Sequence, residues 1–100
     1  MTKKLEVLSV RNCNQLKEVK AHRVTLREYP ELPLYAYFGH KIWWIIEKST
    51  GLTVVSPSIQ NCTTLDYAIA SAHESIHKFG VPCFHDAVAM AIKSYGAINQ

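Results

Sequence analysis

No apolar run in this 100-residue chain approaches the roughly 20 residues that a membrane span needs. Ile42-Trp43-Trp44-Ile45-Ile46 stops after five. The opening stretch MTKKLEVLSVRNCN has a basic tip but neither a continuous apolar segment nor a small-residue cleavage site, so no signal peptide is expected. Cysteine is scarce and odd in number: Cys13, Cys62 and Cys83 have no paired spacing. That argues against a secreted disulfide scaffold and for reduced thiols in a cytoplasm. The chain also lacks a glycine-rich phosphate loop, a C-x-x-C pair and any Ser-His-Asp wording, and no glutamate follows Glu74. Charge is not concentrated either. Residues 1–50 hold nine Lys/Arg against five Asp/Glu (+4), and residues 51–100 hold two against three (−1). The basic half is interrupted by Glu6, Glu18, Glu28, Glu31 and Glu47, so no charged run forms.

What is present is ordinary globular material. Hydrophobic residues make up 48% and charged residues 19%, enough apolar content to exclude disorder and enough length for one modest core. Residues 1–100 are read as a single α+β domain.

Periodicity supplies the elements. Lys4 to Val10 suits a strand or a helix start, and QLKEVK after Asn14 suits a short helix. HRVTLREY (22–29) alternates, with Val24 and Leu26 facing one way and Arg23, Thr25 and Arg27 the other. Pro30 and Pro33 bracket an expected loop before LYAYF (34–38). Gly39-His40 marks a tight turn, IWWIIEK (42–48) a strand, Ser49-Thr50-Gly51 a second turn and LTVVS (52–56) a further strand. Thr63 or Thr64 then opens a helix in which Leu65, Ala68, Ile69, Ala72, Ile76 and Phe79 share one narrow arc. Gly80 and Pro82 end it, and a last helix over roughly 84–95 carries Phe84, Val88, Ala91, Ile92 and Tyr95 on one face. The fold expected is an antiparallel three- to four-stranded meander with two C-terminal helices packed on one face.

The stretch VVSPS (54–58), leading into an amphipathic helix, and the Ala-rich HDAVAMAIKSYG resemble the C-terminal half of small bacteriophage proteins of the phage ABA-sandwich type. The likeness covers about 45 residues. It implies a helix–sheet–helix fold and a phage or prophage origin, and it implies no shared activity.

HESIHKFG (73–80) resembles the zinc signature of zincin peptidases. Two histidines one helical turn apart can reach one metal, and the intervening Glu74 can polarise a metal-bound water. The likeness implies zinc held by His73 and His77, with His85 the alternative third ligand, and catalysis by Glu74. Three residues after Gly80, where one branch of these enzymes has its third histidine, stands Cys83, and His85 lies beside Asp86. With the apolar stripe at 0°, His73 falls at about 80°, His77 at about 120° and Glu74 at about 180°. The plain alternative is that both histidines flank the stripe as half-exposed side chains with no metal, and this is the reading adopted.

Trp43 and Trp44 must point to opposite faces of their strand. The outward one, with Tyr35, Tyr37, Arg23, Arg27 and Lys41, makes a basic and aromatic group suited to a macromolecular partner. A cross-strand packing pair is the alternative use of those rings. The expectation is a non-enzymatic cytoplasmic protein that binds another macromolecule, most naturally a protein. Inhibitors that phages direct at host defences, anti-CRISPR proteins among them, are of this size. A minimal zinc metallopeptidase and a single-stranded nucleic-acid binder are the alternatives.

Overall fold

The structure is a computed structural model that describes residues 5–12, 15–39, 41–51, 53–54 and 64–99. Four strands, β1 (Leu5–Asn12), β2 (Gln15–Leu26), β3 (Tyr29–Gly39) and β4 (Ile42–Glu47), pair antiparallel in the order β1-β2-β3-β4. Two helices follow, α1 (Leu65–Phe79) and α2 (Val81–Tyr95). The α+β meander read from the sequence is therefore present.

Its strands are not all where periodicity put them. QLKEVK is not a helix but the first half of β2, paired along its length with β1. Leu16 and Val19, three residues apart, fall on opposite faces of the strand, and ladder hydrogen bonds to β1 override a weak local helix preference. The two prolines do not delimit a loop either, since both lie inside β3. The β2–β3 register shifts there: Val24 pairs with Leu34 and Leu26 with Tyr29, so Thr25 alone faces residues 30–33. Arg23 fills the irregularity, its guanidinium Nη2 donating to the carbonyls of Leu32 (2.9 Å) and Pro30 (3.3 Å). The strand thus carries prolines where no ladder N–H is needed. Of the expected strand over 52–56, Thr53 pairs with Ile46 and the Val54 N–H reaches the Ile45 carbonyl at 2.8 Å. Leu52 and residues 55–63, which include most of VVSPS, lie outside the described residues.

Thr64 caps α1, its hydroxyl accepting from the Tyr67 N–H at 3.2 Å, and Asp66 stands in the positive first turn. Ala68, Ala72 and Ile76 are buried on β2–β4 among Val24, Leu26, Leu32, Leu34, Ala36 and Ile45. The small Ala68 and Ala72 let the helix approach the sheet closely. Phe79, placed on that stripe by the wheel, is 65% exposed at the helix end, because the sheet does not extend beneath it. Gly80 ends α1 as expected, and Pro82 sits in the first turn of α2, which begins at Val81 and not near residue 84. Among the α2 residues whose burial is described, only Ala91 is buried, while Phe84 and Val88 are half-buried and Ile92 is exposed.

The face turned from α1 has its own core. Leu8, Val10, Ala21, Tyr35 and Ile46 form a second buried cluster. Small Ala21 on β2 lets side chains of β1 and β4 close over it as the sheet coils. The turn after β4 and the C-terminal tail complete the closure. Gly51 packs so tightly that a Cβ there would lie 2.5 Å from the Ser9 carbonyl oxygen. The Ile98 N–H donates to Ser49 O at 2.8 Å.

Candidate functional site

The basic and aromatic residues divide between the two faces. On the face away from α1, Arg23, Tyr35, Tyr37 and Trp44 come together through the pairs Arg23–Tyr35 and Tyr37–Trp44. Trp44 stacks on Tyr37 with centroids 6.1 Å apart and planes 10° apart, and its indole N–H donates to Gly39 O at 2.8 Å. Tyr35 is buried, with the Arg23 guanidinium 6.0 Å and the Lys48 ammonium 5.7 Å from its ring centroid. Burial pushes the Tyr35 hydroxyl above its usual pKa, reinforced by its hydrogen bond to Glu6. Burial alone does the same for Tyr37. These groups are largely engaged with one another, which is how cross-strand packing uses them. Trp43 is on the opposite face, against the α1 core, in edge contact with His22 and Phe38. Arg27 and Lys41 belong to the β2–β3 and β3–β4 turns, at opposite ends of the sheet, so neither joins the group.

A more open surface lies at the end of the α1 face that the helix leaves bare. Strand register aligns Leu5 with His22 and Val7 with Lys20 on β1–β2, and Phe38 with Trp43 on β3–β4. Alternation puts Leu16 on this face as well. Leu5 is 57% exposed, Val7 60%, Leu16 56% and Phe38 57%. Half of the exposed large apolar residues on the described chain thus share one face and one end of one sheet. Sequence reasoning missed Leu5, Val7, Leu16 and Phe38. Only Phe38 carried a usable signal, an aromatic directly before a turn. The β1–β2 pairing that collects the others is not written locally.

At the other end, the HESIH residues meet the β2–β3 turn. His73 Nε2 lies 3.6 Å from a Glu28 carboxylate oxygen, and its ring is 5.4 Å from that of Tyr29. The Tyr29 hydroxyl and His77 Nδ1 are hydrogen-bonded at 3.2 Å. The two imidazoles run parallel, 6.3 Å between centroids. Glu74 is exposed. Cys83 faces a groove of about 220 Å³ between the helix hairpin and the end of β4, and His85 faces Pro33, Lys48 and Ser49. Among the described residues no three His, Cys, Asp or Glu side chains are grouped to hold a metal ion.

The floor of that groove holds Glu47, which is 3% exposed. One carboxylate oxygen accepts from the Thr50 N–H (2.9 Å) and Thr50 hydroxyl (2.8 Å), the other from the Ser49 N–H (2.9 Å). The Ser49 hydroxyl is 2.8 Å from both oxygens. Glu47 is therefore committed to holding the Ser49-Thr50-Gly51 turn. No described helix is long and apolar enough to cross a membrane. No protein-family model, curated protein or solved structure matches this chain.

Proposed function

We propose that the protein acts without catalysis, by binding a protein partner through the bare end of its α1-covered sheet face. The observation that carries this reading is the placement of Leu5, Val7, Leu16 and Phe38, each more than half exposed, on one face at one end of the sheet, with the half-buried Trp43 beside Phe38 and the exposed Glu18 and Lys20 interspersed on β2. An apolar patch on a β-sheet loses free energy to water unless something covers it, and such patches mark interaction sites. An exposed aromatic beside aliphatic residues, with charge interspersed, is a composition that interfaces use. The resemblance to small phage proteins carries no activity, but the origin it implies would make a host protein, in a cytoplasm, the partner class. Inhibition of a host defence is one form this takes.

The test is a photo-crosslinking amino acid at Phe38, with Glu74 as the control position. A discrete, protease-sensitive adduct from Phe38 alone supports the proposal. Equal adducts from both positions overturn it. A nuclease-sensitive adduct, with affinity falling steeply in salt, favours single-stranded nucleic acid instead.

A further inference from the structure

We propose that the outer edge of β1, at Leu5 and Val7, is a pairing site for an extended segment of another protein, apolar beside Leu5 and Val7 and basic between them. This deepens the proposed function and rests on it.

The direction of the edge groups follows from Asn99. Its side-chain amide meets both backbone groups of Ser9: Oδ1 accepts from the Ser9 N–H at 2.9 Å and Nδ2 donates to the Ser9 carbonyl at 2.7 Å. Ser9 therefore presents its N–H and C=O away from β2. In an antiparallel strand every second residue faces the same way, so Val7 and Leu5 do too. Among the described residues, neither makes a backbone hydrogen bond beyond the β1–β2 ladder. The Asn99 amide has the chemistry of a peptide group, so the edge already accepts one in-strand partner. Among the described residues the two positions beside it are open, and their apolar side chains lie on the face that carries Phe38.

Charge selects the occupant. A second copy pairing β1 to β1, Leu5 opposite Val7, would set Glu6 directly opposite Glu6. Like charges so placed destabilise a sheet. Moving the register one pair toward Ser9 meets Asn99. Moving it the other way, Leu5 opposite Leu5, sets Lys4 opposite Glu6 but Lys3 opposite the apolar Val7. A different chain with Lys or Arg opposite Glu6 and apolar residues on either side has none of these mismatches. Glu6 shares the face of Tyr35, opposite to Leu5 and Val7, so the required alternation is apolar-basic-apolar, which one strand delivers on its two faces.

The probe is a short blocked peptide with Val-Lys-Val at its centre between Ser and Thr residues. Hydrogen exchange at the Leu5 and Val7 amides is expected to slow with it, and a Val-Glu-Val peptide is expected to bind less. Val7→Pro removes one outward N–H without touching the ladder to β2 and should weaken binding about fivefold. Unchanged exchange at both amides, or full binding by a folded Val7→Pro, overturns the edge site. Should the Phe38 adduct form while the edge variants bind normally, the edge inference alone falls. Loss of the adduct as well removes the functional reading.

Discussion

Asn99 holds Ser9 by both of its backbone groups, at 2.9 and 2.7 Å, and gives its remaining amide hydrogen to Lys48 O at 2.8 Å. One side chain at the end of the described chain thus ties the first strand to the end of the last. Asn99→Ala should cost about 1–3 kcal/mol in urea unfolding, since part-buried donors and acceptors lose their partners. Asn99→Asp should cost at least as much, because a carboxylate can receive the Ser9 N–H but faces two carbonyls it cannot donate to. An Asp variant as stable as the parent would contradict this geometry.

Gly51 and Gly96 should respond differently to alanine. Both have positive φ, +67° and +80°. At Gly96 nothing lies within 4 Å of an added Cβ, so the cost is the positive-φ extended backbone alone, about 1–3 kcal/mol. At Gly51 the Cβ would also strike the Ser9 carbonyl oxygen and the Ile98 side chain. Gly51→Ala should lower Tm clearly more than Gly96→Ala; equal shifts would mean the β4 turn does not pack on β1.

Ile76 is 3% exposed and Phe79 65% exposed on the same helix. Ile76→Ala should cost about 2–5 kcal/mol and Phe79→Ala less than about 1 kcal/mol. Reversed magnitudes would place α1 wrongly on the sheet.

Glu47→Gln should destabilise by about 1–3 kcal/mol, although it is nearly isosteric. One carboxylate oxygen becomes an NH₂ facing groups that already donate. The check is the urea midpoint, with Ser49→Ala as a milder companion.

The HESIH residues are expected to bind no stoichiometric zinc. Purified without a histidine tag, the protein should show no metal by elemental analysis and no fall in Tm with chelator. Glu74→Gln should leave partner binding unchanged. One zinc per chain with a chelator-sensitive Tm would instead favour the metallopeptidase reading.

Local pattern determined a good part of this protein. The arc of Ala68, Ala72 and Ile76 fixed α1 and its buried face, because a 3.6-residue period has one geometric solution. Thr64 and Gly80 marked its ends, and alternation separated Trp43 from Trp44. Tertiary structure decided the rest. QLKEVK became strand because β1 was beside it, and Pro30 and Pro33 stayed in β3 because the register shift opposite Thr25 calls for no ladder N–H from them. The bare apolar end of the sheet, the closure of Ser9 by Asn99 and the pairing of His73 with Glu28 each join residues far apart in the chain. Hydrophobic period records which way a side chain points, but not which strand lies next to it or how far a helix reaches along a sheet. Those depend on register and coil, which arise only when all four strands are paired.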